Sequence, residues 1–255
     1  MDKIAVISDI HGNLVALNEV LKDIKERGVD RIICLGDIVG KGPKPKESLD
    51  IIREKCHYVV KGNVDEFCAM DEANTVLRKW TQVRLDKARR EYIMNLPITV
   101  EFYMSGSYIR LFHASPQGIH NKIYPHDPME KRLKLFENTE YTGDIEPDII
   151  GYGEVHTSFV QRLCNKTIFN AGSVGNPLEL NLGEGGGNTM ETTQASYAIL
   201  EGYYGCREIK PFSIQLIRVP YDIELAVQQA KEENIPQLKE YIVELRKGIY
   251  RGAQK

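Results

Sequence analysis

The chain has 255 residues, and its hydrophobic fraction of 42% is sufficient for one domain with a sizeable core. Its formal net charge of −3 argues against a general binder of nucleic acids or membrane surfaces, because no basic face is indicated. No apolar run approaches membrane-spanning length, and Met1 leads directly into a strand-like segment without a signal peptide, so we expect a cytoplasmic protein.

The first part of the chain has the pattern of alternating strands and helices. Residues 4–7 form an apolar run, and apolar side chains then recur every three or four positions between residues 14 and 24, as on one face of a helix. Residues 31–35 predict a second strand, residues 49–52 lie in a second helix, and residues 58–60 predict a third strand. This order favours parallel neighbouring strands.

Each of these three strands is followed by a short polar motif, namely D-x-H, G-D and G-N-x-D. The side chains concerned are Asp9, His11, Asp37, Asn63 and Asp65. Each motif alone is a weak signal. Open α/β sheets bind ligands at the carboxyl ends of their parallel strands, so the position of all three motifs at such ends is informative. A carboxylate together with an imidazole can bind a divalent metal ion.

The middle of the chain offers two more polar side chains at strand ends. Composition favours helical structure through residues 66–95, followed by a half-exposed strand at 98–104 and a returning strand at 108–112. The returning strand ends in H-A-S-P, which contains His113, and the apolar residues 148–150 lead into G-E-V-H. His113 is therefore a further potential ligand at the end of a strand.

The last third of the chain predicts a hairpin at residues 159–169, followed by the Gly-rich motif N-A-G-S-V-G-N-P. Residues 181–194 are also Gly-rich but lack the G-x-x-x-x-G-K-[ST] pattern, so we interpret them as a surface insertion rather than a phosphate-binding loop. Two strands, at 196–200 and 212–219, and two amphipathic helices, around 223–232 and 237–247, complete the chain. We find no repeat or linker and predict a single domain over residues 1–255.

The six motifs, in this order, resemble those of the calcineurin-like metallophosphoesterase family. The compact bacterial and archaeal phosphodiesterase branch is most similar, because it shares D-I-H-G-N and L-G-D-I-V-G. The resemblance runs from residue 1 to about residue 202. It implies an α/β (α+β) fold in which a two-sheet β-sandwich is flanked by helices, whereas periodicity alone predicts only a mixed α/β chain.

The resemblance also implies two divalent metal ions. Asp9, His11 and His156 would hold the first ion, and Asp37 would bridge it to the second. In such a site a metal-bridging hydroxide attacks the phosphorus atom of a phosphate ester.

The second ion would be held by Asn63, His113 and the residue that begins the family's G-H-T-H motif, which is Glu154 in this chain. A carboxylate favours harder ions, so we expect Mn²⁺ and/or Fe, with Zn²⁺, Ni²⁺ or Mg²⁺ as further candidates. The alternative is that Glu154 does not coordinate and the second site is weakened.

A second departure from the family concerns the G-N-H-D motif, whose histidine is replaced by Val64. Valine cannot transfer a proton, so we expect preference for substrates with good leaving groups. Aryl phosphates, phosphodiesters with good leaving groups and nucleoside polyphosphates meet that condition. The catalytic residues that the resemblance implies are Asp37, Asn63 and Asp65. The rival interpretation is an inactive scaffold, as in the similar retromer subunit of eukaryotes, or a nucleotide or metal sensor.

Substrate choice has no readable signal in the sequence. Three loops, at residues 41–46, 117–128 and 181–194, are candidates for it, and their lysines are typical of solvated surface. We interpret His57, His120 and His126, which lie outside the motifs, as surface or core residues. The expected partner is a phosphorylated small molecule or nucleotide, and the sequence does not indicate an oligomeric state.

Overall fold

The computed structural model describes residues 1–71, 74–178, 193–249 and 251, and within them ten strands form two five-stranded sheets. In chain order the strands are β1 (Asp2–Ile7), β2 (Arg31–Cys34), β3 (Tyr58–Val59), β4 (Thr99–Met104), β5 (Ser107–Phe112), β6 (Ile149–Tyr152), β7 (Phe159–Leu163), β8 (Lys166–Asn170), β9 (Ala195–Gly202) and β10 (Ser213–Val219). The helices are α1 (Leu14–Glu26), α2 (Pro45–Lys55), α3 (Asn63–Ala69), α4 (Val76–Gln82), α5 (Lys87–Met94), α6 (Met129–Leu133), α7 (Ile223–Glu232) and α8 (Leu238–Lys247), and a 3₁₀ turn follows α6 (Lys134–Phe136).

Both sheets are mixed. The first has the order β10-β9-β1-β2-β3. Strands β1, β2 and β3 pair in parallel, and β9 pairs antiparallel with both β1 and β10. The second has the order β4-β5-β6-β8-β7, in which β5, β6 and β8 are parallel. Two mixed sheets flanked by helices confirm the fold class expected from the sequence.

Strand β1 lies at the centre of the packing because both of its faces are buried. Ala5 and Ile7 belong to the core cluster that includes residues of α1 and α2, whereas Ile4 and Val6 belong to the cluster between the two sheets. Alternation along the strand sends successive side chains to opposite faces. The apolar run at residues 4–7 therefore reflects burial on both sides, as expected for a parallel central strand.

The helical segment predicted at residues 66–95 consists of three short helices, the first of which begins earlier, at Asn63. Thr75 and Asp86 start the second and third helices, since their side chains accept hydrogen bonds from the backbone N–H groups of Arg78 and Arg89 at 3.2 and 2.9 Å. The predicted insertion at 181–194 lies outside the described residues except for its last two positions. No helix in the described part of the chain is long and apolar enough to cross a membrane.

Helices α7 and α8 pack beside α1 through a separate apolar cluster. Ala226 and Val227 of α7 and Tyr241 and Leu245 of α8 surround Val15. Helices α7 and α8 therefore lie beside the start of α1, close to the carboxyl end of β1, where the polar motifs converge.

Candidate metal centre

The predicted ligands follow strands that end at the same edge of the structure, and five of them occupy turns with left-handed backbone. The φ angles are 55° at Asp9, 49° at His11, 52° at Asp37, 57° at Glu154 and 64° at His156. This conformation is unfavourable for residues with a Cβ atom, costing of order 1 to 3 kcal/mol each, and it persists only where surrounding contacts enforce it. Such strain typically accumulates at functional sites.

Backbone hydrogen bonds connect the loops that carry these ligands. The Asp9 and His11 N–H groups donate to the carbonyls of Gly36 and Asp37 at 3.0 and 2.9 Å. Gly62 approaches so closely that a Cβ atom there would lie 2.2 Å from the backbone nitrogen of Asp37. The glycine of G-N-x-D is therefore needed to bring the β3 end against the β2 end.

The first group of ligands brings Asp9, His11 and His156 together in a buried position. His156 Nε2 lies 3.2 Å from Asp9 Oδ1 and 3.3 Å from His11 Nε2, and His11 Nε2 lies 3.7 Å from Asp9 Oδ1. The Nδ1 atom of His156 donates to the carbonyl of Asn176 at 2.6 Å, which directs Nε2 toward the other two side chains. This arrangement suits a cation.

The second group contains Asp9, Asp37 and His113. His113 is oriented in the same way as His156, because its Nδ1 atom donates to the carbonyl of Leu35 at 2.8 Å. Asp37 spans the two groups: its Oδ2 atom lies 3.7 Å from Nε2 of His11, and its Oδ1 atom lies 3.4 Å from Nε2 of His113.

Two oxygen atoms provide a test of whether these residues fit metal ions. Asp9 Oδ1 and Asn63 Oδ1 are buried, and neither accepts a hydrogen bond from any residue that the structure describes. Buried polar atoms without partners are rare and need an explanation. Divalent cations bound by the two groups of ligands would give these oxygens partners, so the donor set fits metal ions.

The charges of the centre point the same way. Burial disfavours the charged form of Asp9, but His156 and His113 outweigh this effect and lower its pKa to about 2. Burial raises the pKa of Asp37 well above its usual range; His113 opposes the shift, whereas Asp9 and Glu154 add to it. Burial also disfavours the imidazolium of His113, yet these carboxylates raise its pKa to about 10. Burial thus disfavours the ionised form of these carboxylates, and a bound cation would stabilise that form.

Glu154 lies beside the second group. Its Oε2 atom accepts a hydrogen bond from His113 Nε2 at 2.8 Å, and its other oxygen forms an ion pair with Lys122. The carboxylate is thus within reach of the second group, while Lys122 offsets part of its charge. Lys122, which the sequence grouped with solvated lysines, is the direct neighbour of a predicted ligand.

The structure gives Asp65 a positioning role rather than contact with a substrate. Its buried carboxylate accepts hydrogen bonds from the backbone N–H groups of Ile38, Val39 and Gly62 at 2.8, 3.0 and 3.3 Å. These bonds fix the loops after β2 and β3. The sequence-based assignment of Asp65 as a catalytic residue stays a prediction.

The N-A-G-S-V-G-N-P motif forms hydrogen bonds with two residues of the first group. Ser173 donates its hydroxyl to the carbonyl of Asp9 at 2.8 Å, and the Gly175 N–H donates to the same carbonyl at 2.9 Å. Asn176 supplies the carbonyl that orients His156. The motif therefore positions the ligands of the first group.

A cavity of about 500 Å³ opens onto the centre, and its walls include Asp37, Asn63, Glu154 and His156. Residues outside the motifs also line it, namely Lys41, Val64, Phe67, Arg78, His120, Lys122, Tyr124, Val155 and Leu178. His120, interpreted from the sequence as remote from the site, lies on this wall with its Nε2 atom 2.8 Å from Glu66 Oε2. Neither His120 nor Arg78 has a motif signal that could have revealed its position.

Comparisons with known proteins agree with this geometry. Residues 2–201 match the family model of the Calcineurin-like phosphoesterase superfamily domain. An uncharacterized protein of Methanocaldococcus jannaschii is 32% identical over 247 residues, which cover 92% of this chain and 94% of that protein. The crystal structure of a metallophosphoesterase from Sphaerobacter thermophilus superposes with a TM-score of 0.73 and 26% identity, covering 97% of this chain and 100% of that one.

A shorter match concerns the phosphodiesterase YfcE of Escherichia coli strain K12, which is 33% identical over 100 residues, or 35% of this chain and 54% of that protein. The family match covers most of the chain and includes every motif whose side chains converge on the metal centre. The chain therefore belongs to the calcineurin-like phosphoesterase superfamily, a metal-dependent family, and is a hydrolase that acts on phosphate esters.

Proposed function

We propose that this hydrolase uses two divalent metal ions, bridged by Asp37, to cleave phosphate esters with good leaving groups. The observation that carries the proposal is the position of Asp37, whose two carboxylate oxygens face Nε2 of His11 and Nε2 of His113 in different ligand groups. The unpartnered oxygens of Asp9 and Asn63 support it further. One bridging carboxylate between two sets of ligands is the arrangement that a dinuclear site requires.

In this proposal each side chain has a definite task. Asp9, His11 and His156 hold the first ion, and Asn63, His113 and Glu154 hold the second. Two bound divalent ions would supply acidified water and positive charge for the phosphoryl oxygens. Because Glu154 adds a hard oxygen ligand, Mn²⁺ and/or Fe are the preferred ions, ahead of Zn²⁺, Ni²⁺ and Mg²⁺.

The preference for good leaving groups depends on Val64. This residue lines the cavity immediately after Asn63, where many relatives carry a histidine, and its side chain cannot give a proton to a departing oxygen. Without a general acid the rate falls by a factor of about 10² to 10⁴ when the leaving oxygen is basic. The rate falls little when the conjugate acid of the leaving group is already a strong acid. Aryl phosphates, phosphodiesters with good leaving groups and nucleoside polyphosphates should therefore be better substrates than alkyl phosphomonoesters.

The proposal extends to the whole chain as one metallophosphoesterase domain, active in the cytoplasm on phosphorylated small molecules or nucleotides. General binding to nucleic acids or membranes is not part of it, in line with the net charge of −3. The oligomeric state is left open.

Metal titration with substrates of different leaving groups tests the proposal. Metal-stripped protein should bind two Mn²⁺ per chain by calorimetry and then hydrolyse p-nitrophenyl phosphate much faster than serine phosphate. Equal rates for these two esters would refute the role given to Val64. Folded protein that shows no turnover with Mn²⁺, Fe²⁺, Ni²⁺ or Mg²⁺ would instead identify an inactive scaffold or a sensor.

A further inference from the structure

A second cavity adjoins the cavity at the metal centre. It has a volume of about 750 Å³, and Lys41, Val64 and Arg78 line both cavities. A substrate that reaches past Val64 and Arg78 would have its phosphate at the metal ligands and its other end in the second cavity. A histidine in place of Val64 would narrow this passage, because histidine is the larger side chain.

Arg78 stands at the junction of the two cavities in a defined orientation. Its guanidinium group lies over the Phe67 ring, with Cζ 3.7 Å from the ring centroid, and Nη1 donates to Asn74 Oδ1 at 2.5 Å. No ion pair joins Arg78 to a carboxylate within residues 1–71, 74–178, 193–249 and 251. Apart from the bond to Asn74, its guanidinium N–H groups donate to no residue in the described part of the chain, and a stacked guanidinium of this kind is well suited to bind a phosphate.

The second cavity has a largely apolar wall. Cys68 of α3, Val76 and Leu77 of α4, and Pro236 before α8 lie along it. Pro236, like Gln237 and Arg251 at the same cavity, comes from the part of the chain that follows the family match at residues 2–201. This side of the second cavity therefore comes from outside the segment that matches the family model.

We propose that the two cavities together bind a nucleoside polyphosphate, with its terminal phosphate at the metal ligands. The next phosphate binds Arg78, and the flat nucleoside lies against the apolar wall that includes Leu77 and Pro236. This inference rests on the proposed function and names its substrate class. It explains how the site works with Val64, because the departing phosphate needs no general acid.

The reaction is a balanced hydrolysis. A bond forms between the oxygen of water and the terminal phosphorus, and the bond from that phosphorus to the bridging oxygen breaks. The departing nucleotide keeps the electron pair and leaves as a phosphate anion. The proton released from water passes to the solvent.

Binding of a non-hydrolysable substrate analogue tests the role of Arg78 without turnover. Adenosine 5′-(β,γ-methylene)triphosphate is titrated by calorimetry into the Mn²⁺-loaded protein and into two variants. Arg78→Gln should weaken binding about 10- to 100-fold, the contribution of hydrogen bonds between charged groups. Arg53→Gln is the matched control, because Arg53 also lies over an aromatic ring, that of Tyr92, but lines neither cavity, and it should bind like the wild type.

Inorganic tripolyphosphate separates the two parts of the proposed site. Leu77→Asn should weaken binding of the nucleotide analogue and leave binding of tripolyphosphate unchanged, whereas Arg78→Gln should weaken both. Unchanged binding of the analogue by Arg78→Gln, or an equal loss in Arg53→Gln, would overturn the inference. If the protein binds the analogue through Arg78 but shows no turnover, the inferred binding site is supported and the proposed hydrolysis is rejected.

Discussion

His113 Nε2 lies 2.8 Å from Glu154 Oε2 at the buried centre, and both side chains belong to the group of ligands assigned to the second metal ion. Because His113 Nδ1 donates to the Leu35 carbonyl, a proton on Nε2 makes this ring an imidazolium. Burial opposes that charge, but Asp37, Asp9 and Glu154 raise the pKa of His113 to about 10. In the metal-free protein a proton therefore takes the position that a cation would occupy.

Metal binding at this group should consequently depend on pH. The pKa of His113 is raised, so the ring is protonated at neutral pH and must lose a proton before it can coordinate. Affinity for the second Mn²⁺ should increase about tenfold per pH unit from pH 7 to about 9, with release of one proton. Calorimetry in buffers of different ionisation enthalpy measures both the Mn²⁺ affinity and the number of protons released. An affinity that does not change over this pH range would show that metal binding does not displace a proton from His113.

Replacing Glu154 should change which metal is preferred. Glu154→His introduces the nitrogen ligand that the family carries at this position, and the φ angle of 57° is one that histidine tolerates better than most residues. Zn²⁺ affinity relative to Mn²⁺ should rise about tenfold or more in competition with a chromophoric chelator. Glu154→Gln is the control and should weaken both ions. An unchanged preference in Glu154→His would show that residue 154 does not coordinate.

Val64→His should restore a proton donor beside Asn63. We expect the rate of hydrolysis of alkyl phosphomonoesters to rise by up to about 10²- to 10⁴-fold, while the rate for p-nitrophenyl phosphate changes little. Val64→Ala controls for the altered volume of the cavity and should not show this selective gain. A uniform change for both esters would mean that proton donation does not limit the wild-type enzyme.

Asp65→Asn should destabilise the protein, because the buried carboxylate accepts three backbone hydrogen bonds and an amide can satisfy only part of them. A loss of about 1 to 3 kcal/mol in the free energy of unfolding is expected. Asp50→Asn is the comparison, since Asp50 forms a partly exposed ion pair with Arg89, worth about 1 kcal/mol or less. Urea unfolding measures both, and equal losses would contradict the positioning role of Asp65.

The sequence predicted the frame of the centre well because it depends on local patterns. Hydrophobic periodicity located β1, β2 and α1, and parallel pairing of β1 with β2 follows from the short connection through a helix. Once the strands are parallel, Asp9 and Asp37 must lie at the same edge. The motifs therefore carried information about three-dimensional position.

Other parts of the site depend on contacts that no local pattern encodes. Arg78 lies in a segment whose composition predicted only helical scaffold, and its position on Phe67 results from the break between α3 and α4. His120 reaches the cavity from a loop that has no regular periodicity. Lys122 next to Glu154 is a contact between separate segments of the chain. Such residues can be assigned to the site only from the three-dimensional structure.

Asp37 is the residue on which the dinuclear mechanism depends most directly. The measurement is hydrolysis of bis(p-nitrophenyl) phosphate and p-nitrophenyl phosphate by metal-stripped protein titrated with Mn²⁺, for the wild type, Asp37→Asn and the control Asp50→Asn. We predict Mn²⁺-dependent turnover in the wild type and the control, and a loss of about 10²-fold or more in Asp37→Asn. Turnover that persists in folded Asp37→Asn at the wild-type rate would contradict the bridged pair of metal ions.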